Sequence, residues 1–142
     1  MAAPKALVWS VISDAGNYHR YATGLHDVKI LSGEQEGMVR SCTNDTGTWS
    51  ETCTDWQEGE RYTFEVHTEA DDYPFPLKTM RGTWFINSVE NESVEFGVQF
   101  DYQLPYRWMH WLYNGAVRNN FKNGAVLDNW KKEIEQRAAK AQ

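Results

Sequence analysis

The chain has 142 residues and a net charge of −6. This is enough for one domain, 1–142, with its own core, and too acidic, with no basic stripe, for nucleic-acid backbone binding. Hydrophobic residues at 41% and charged residues at 24% exclude a disordered chain, and no apolar run approaches the ~18 residues of a membrane span. The segment Met1 to Asp14 lacks the pattern of a secretory leader, and two cysteines make no disulfide framework, so a cytoplasmic location is expected.

Pro4 suits the start of a helix, and Leu7, Val8, Val11 and Ile12 recur on one face until Ser13-Asp14-Ala15-Gly16 ends the run. A second helical turn is predicted over Asn17 to Ala22, closed by Gly24. The period then changes to two. Strands are predicted over His26–Leu31, Met38–Thr43, Thr48–Trp56, Arg61–Thr68, Lys78–Ser88 and Val94–Leu104, with a hairpin around Asp45-Thr46-Gly47.

Two strands alternate cleanly: Tyr62, Phe64 and Val66 in one, and Val94, Phe96, Val98, Phe100 and Tyr102 in the other. Such alternation marks an antiparallel sheet with one dry face. In the fifth strand Met80, Trp84 and Ile86 point inward and Gly82 leaves inner space. After Pro105 one long closing helix is expected, its stripe running through Met109, Leu112, Tyr113, Val117, Phe121, Leu127, Trp130 and Ile134 with a gap at Gly124. The fold class is α+β: one helix laid on one curved antiparallel sheet, an arrangement that encloses a cavity.

On the third strand Trp49, Glu51, Cys53 and Asp55 share a face, opposite Thr48, Ser50, Thr52, Thr54 and Trp56. Turned inward, Glu51 is a candidate general acid or base, or an acceptor for a ligand hydroxyl; turned outward, it is merely solvated. Counting back from a turn centred between Gly47 and Thr48 sets Cys42 opposite Cys53 and Arg40 opposite Asp55. Arg40 is then either an ordinary cross-strand partner or an anion anchor in the pocket. His19, His26, His67 and His110 show no metal spacing, and no phosphate loop or nucleophile elbow appears, so neither a metal nor a cofactor is expected. The loop Asp71 to Pro76, with Tyr73 and Phe75, reads either as a lid or as a rigid connector.

The chain resembles the START-like superfamily, also called SRPBCC or Bet v 1-like, of the polyketide cyclase/dehydrase type. The likeness is carried by Ala3-Pro4, Val8-Trp9-Ser10-Val11-Ile12-Ser13-Asp14, Tyr18-His19-Arg20-Tyr21, Gly37-Met38-Val39-Arg40, Gly47-Thr48-Trp49-Ser50-Glu51, Tyr73-Pro74 and Asn129-Trp130-Lys131-Lys132-Glu133-Ile134-Glu135. The resemblance implies a helix-grip fold, a bent sheet wrapped round the C-terminal helix with an apolar tunnel between. It also implies pocket positions for Glu51 and for Lys29. In the aromatase/cyclases an arginine follows that glutamate; here the position is Thr52, which speaks against their mechanism. The family's first strand lacks a counterpart here, which predicts an open edge on the strand 94–104 and association of two copies there.

Three functions follow. The first is binding of a hydrophobic small molecule (lipid, polyketide, or another aromatic or isoprenoid-like compound). Its pocket is lined by Lys29, Arg40, Trp49, Glu51, Phe64, Val66, Trp84, Val98 and Phe100, and by Tyr113, Val117 and Phe121 from the helix. The second is a cyclase or dehydratase using Glu51, and the third is a protein-interaction module on the same fold.

Overall fold

The computed structural model describes residues 3–22, 24–71, 73, 77–89, 93–104, 106 and 126–140. Helix α1 (Lys5–Ile12) starts directly after Pro4 and buries Val8, Trp9, Val11 and Ile12. A 3₁₀ helix, Ala15–Arg20, follows and buries Ala15 and Tyr18; it begins two residues before the turn expected at Asn17. The strands are β1 (Leu25–Ser32), β2 (Val39–Asn44), β3 (Thr48–Gln57), β4 (Arg61–Val66), β5 (Thr79–Val89) and β6 (Ser93–Gln103). Helix α2 (Val126–Lys140) closes the described chain. The predicted helix positions from Met109 to Gly124, with Tyr113, Val117 and Phe121 among them, lie outside the described residues, as do Pro74, Phe75 and Pro76 of the loop.

The six strands form one curved antiparallel meander in the order β1-β2-β3-β4-β5-β6. Each is hydrogen-bonded to its neighbours in sequence, so β1 and β6 are the outer strands of the described sheet. The inner face carries the expected set: Tyr62, Phe64 and Val66 from β4, Met80, Trp84 and Ile86 from β5, and Val94 from β6, all buried. Burial of large apolar side chains on one face is what holds such a sheet to its helices.

Two features of β3 correct the reading of the hairpin. The turn is Asn44 to Gly47, where the Asn44 side-chain oxygen accepts from the Thr46 and Gly47 amides at 2.9 and 3.1 Å, a tight Asx-type closure. Thr43 therefore pairs with Thr48, and the register sets Arg40 opposite Glu51 and Cys42 opposite Trp49, not Asp55 and Cys53. Both cysteines are buried free thiols. Between Cys53 and Asp55 the pairing with β4 shifts by one residue. A bulge of this kind exchanges the faces beyond it. Trp56, placed from the sequence on the face opposite Glu51, lands on the same side as Glu51 and stacks on Tyr62 with ring centroids 5.2 Å apart. Asp55 turns outward to Arg61, 3.0 Å away.

The aromatic stock fills one end of the inner face. Trp56, Tyr62 and Trp84 form a continuous stack, with Tyr62 and Trp84 centroids 5.2 Å apart. Trp9 meets Trp56 edge-on, and the Tyr62 hydroxyl donates to the Ile12 carbonyl of α1. Gly82 was expected to leave space. A Cβ there would lie 2.7 Å from the Trp84 ring and 3.1 Å from the Phe100 ring, so those rings already occupy it.

Helix α2 buries Val126, Trp130 and Ile134, a stripe at four-residue spacing. Leu127, placed on that stripe from the sequence, lies one residue round the helix and is 38% exposed.

A carboxylate clamp joins α1 to the β3–β4 turn. Glu58 accepts from the Trp9 indole through one oxygen at 2.9 Å and from the Trp56 indole through the other at 2.7 Å. Glu58→Ala leaves both indole N–H groups without this acceptor at a solvent-reached position. It is expected to lower stability by about 1 kcal/mol, read as a shift of the urea midpoint.

Candidate functional site

The inner face has a polar row spanning two strands, Arg40 of β2 and Glu51 of β3. Cross-strand pairing aligns Ile30 of β1 with Arg40 of β2, Arg40 with Glu51 of β3, and Glu51 with Val66 of β4. The inward parity of β3 follows from its neighbours: Cys53 and Glu51 alternate with half-exposed Thr52 and exposed Thr54. Glu51 is thus turned inward and 6% exposed, and Arg40 is 1% exposed.

These two charges are paired closely. Arg40 donates from Nε and Nη2 to Glu51 Oε1, each at 2.5 Å, and from Nη1 to the Ala15 carbonyl at 2.9 Å. Its guanidinium lies over the Phe64 ring, 3.9 Å from the centroid, with Tyr18 at 5.1 Å and Trp84 at 5.6 Å. Stacking on aromatic faces and directed bonding to a carboxylate are what a desolvated guanidinium requires. Burial pushes against the charged form, but the Glu51 charge and hydrogen bond outweigh it, and the Arg40 pKa is raised.

The second oxygen of Glu51, Oε2, accepts from the Trp49 indole at 3.2 Å. The surrounding groups are uncharged acids. Burial pushes the Cys42 thiol up, with Glu51 as a further cause. Burial, and then Glu51, push the Tyr73 hydroxyl up to about 12. Burial also pushes the Tyr18 hydroxyl up to about 12, against the lowering effect of Arg40, and the Tyr62 hydroxyl well above its ordinary value.

These tyrosines make the protein sensitive to alkali. An unfolded tyrosine loses its proton near pH 10, whereas folded Tyr18 keeps it to about 12. The stability this contributes is complete below pH 10 and lost as pH rises from 10 through 12. The slope is about 1.4 kcal/mol per pH unit for each such tyrosine. Denaturant midpoints measured from pH 8 to 12 are expected to stay level and then fall, with phenolate absorbance lagging behind that of free tyrosine.

Of the residues expected at the site, Arg40, Trp49, Glu51, Phe64, Val66, Trp84, Val98 and Phe100 all come to the inner side. Phe64 and Trp84 are packed in the aromatic core, while Trp49, Val98 and Phe100 are partly buried beside it. Lys29 does not join them. It pairs with Ser41 across the β1–β2 ladder, and its side chain is 72% exposed near Asp27. The parity of β1 turns Val28 inward and sends Lys29 out.

Tyr18, Cys42 and Tyr73 lie around this pair and are not among the site residues expected from the sequence. Tyr18 and the Ala15 carbonyl come from the 3₁₀ helix, whose docking against β1 no local pattern reveals. Among the described residues no group of three His, Cys, Asp or Glu side chains is placed to hold a metal ion. No helix among them is long and apolar enough to cross a membrane.

A family profile described as polyketide cyclase / dehydrase and lipid transport matches residues 1–136. No curated protein matches the sequence. Among solved structures, the Zhui aromatase/cyclase from Streptomyces sp. R1128 superposes with a TM-score of 0.73 at 19% identity, over 96% of this chain and 89% of that one. The di-domain ARO/CYC StfQ from the steffimycin biosynthetic pathway gives 0.76 at 12% identity, over 97% of this chain and 49% of that one. Ara h 8.0201 gives 0.63 at 11% identity, over 95% and 92%. At these identities the likeness establishes the helix-grip fold.

Proposed function

This chain belongs to the polyketide cyclase / dehydrase and lipid transport family, and we propose that it binds a hydrophobic small molecule of the lipid, polyketide or related aromatic class against the inner face of its sheet. The observation that carries this reading is the contrast within that face. One end is packed solid by Tyr62, Phe64, Trp84 and Trp130, all buried. Next to it, Trp49, Val98 and Phe100 are only partly buried beside the polar Arg40–Glu51 row. Apolar surface with one or two fixed polar groups is the usual composition of a small-molecule site.

Catalysis by Glu51 is the second reading, and the geometry favours an anchoring role over it. Both carboxylate oxygens already accept N–H donors. A proton taken up by Glu51 would disrupt its pairing with Arg40, a poor starting point for a general base. β6 is an outer strand of the described sheet, the kind of position through which two copies can associate; a monomer by light scattering at high concentration would count against it.

Native mass spectrometry of protein purified from cells tests the main reading. A co-purifying hydrophobic compound is expected. Its absence, together with no thermal shift against a panel of lipids and aromatic polyketides, would overturn the proposal.

A further inference from the structure

We propose that the site selects an uncharged ligand bearing a hydroxyl, which donates to Glu51, and that it rejects a carboxylate of the same shape. This rests on the ligand-binding reading above and narrows its chemistry.

The charge balance of the polar row carries the inference. Arg40 is the cation of that row, and its charge is already answered by Glu51 through Nε and Nη2. Its Nη1 is bonded to the Ala15 carbonyl, and its face lies on Phe64. An anionic ligand would have to displace Glu51 to reach it, leaving a buried carboxylate uncompensated. Lys29, the other candidate cation, is on the solvent side and 72% exposed. The groups that crowd the pair, Tyr18, Cys42 and Tyr73, supply no positive charge.

Glu51 Oε2 is the atom left to be addressed. Among the described residues its N–H donor is the Trp49 indole at 3.2 Å, the Cys42 thiol also lies against the carboxylate, and a carboxylate oxygen can accept two hydrogen bonds. Trp49 is itself only partly buried. What the row offers beside the apolar patch is therefore a fixed acceptor carrying negative charge. A hydroxyl donating to it gains a charge-assisted bond. A ligand carboxylate beside it meets like charge in a poorly solvated setting.

Three probes of one shape test this: naphthol, naphthoate and methylnaphthalene, titrated into the full-length protein at pH 7 with tryptophan fluorescence as the readout. Naphthol is expected to bind at least about tenfold more tightly than naphthoate, and more tightly than methylnaphthalene. Equal or tighter binding of naphthoate would overturn the selectivity while leaving the hydrophobic site standing, because methylnaphthalene reports that site alone. Failure of all three to bind would remove both. In the charge-free Arg40→Gln/Glu51→Gln double variant the naphthol-to-naphthoate ratio is expected to fall to within about twofold. An unchanged ratio would show that Glu51 is not its source.

Discussion

Glu51→Ala lowers the stability of the protein by about 3–5 kcal/mol, and Arg40→Ala by a similar amount, because each leaves the other as an uncompensated buried charge. The surroundings set the size of the effect. Arg40 is 1% and Glu51 6% exposed, so water does not replace the lost partner. In Arg40→Ala, Glu51 loses two short N–H donors at 2.5 Å; in Glu51→Ala, the guanidinium is too basic to escape by giving up its proton. The double replacement Arg40→Met/Glu51→Leu behaves differently. It removes both charges and keeps the volume, and it is expected to recover most of the loss. A double-mutant cycle by urea denaturation reads the coupling directly. If the single variants each cost less than about 1 kcal/mol, the pair is solvated in solution and the described burial is wrong.

Trp130→Ala is the second large effect, expected at about 3–5 kcal/mol. Trp130 lies against Tyr18 and Tyr21, at 5.8 and 6.3 Å between ring centroids, and against Phe96 of β6 at 6.3 Å. It therefore ties α2 both to the segment around the 3₁₀ helix and to the far strand of the sheet. Asn129 adds to the same junction through a 2.7 Å bond to the Tyr21 carbonyl. Removing the indole opens a cavity walled by rings held from several elements, which cannot easily close around it. The 3₁₀ helix also supplies the Ala15 carbonyl to Arg40, so Trp130→Ala is expected to weaken binding as well as stability. A midpoint shift below about 1 kcal/mol would mean that α2 is not docked in this way.

Much of the fold is legible in the sequence for simple reasons. Alternation in Arg61–Val66 and Ser93–Gln103 is long enough to identify both the strands and their dry face. The inward positions of Phe64, Val66, Val98 and Phe100 follow from it, and that of Trp84 from the same period in Thr79–Val89. Register is another matter. The Asn44 side chain closes the β2–β3 turn earlier than a turn centred after Gly47 would, and those two residues decide that Arg40 meets Glu51. The bulge after Cys53 leaves no mark on the pattern, yet it moves Trp56 from the outer face into the aromatic stack. Lys29 illustrates the limit of resemblance: a matching position on a matching strand points outward here because Val28 takes the inward place. Leu127 shows the same for the helix, where a strict four-residue stripe through Val126, Trp130 and Ile134 leaves it outside.

The polar cluster was partly visible. Glu51 and Arg40 were recognisable as unusual on an inward face, but their engagement with each other depends on register, and Tyr18 reaches them only through the docking of the 3₁₀ helix. The meaning of the pair changes accordingly. Apart, they read as an acid and an anion anchor; together they form a neutral unit whose Oε2, bonded to the Trp49 indole, can take a second donor.

The most direct test of that picture is a naphthol titration followed through the indole N–H resonances of the seven tryptophans in a ¹⁵N–¹H correlation spectrum, assigned by single substitutions. The Trp49 resonance, whose N–H is bonded to Glu51 Oε2, is expected to shift progressively with naphthol, while Trp9 and Trp56, held by Glu58, stay in place. A titration that moves Trp9 and Trp56 and leaves Trp49 untouched would contradict a ligand site at the Arg40–Glu51 row.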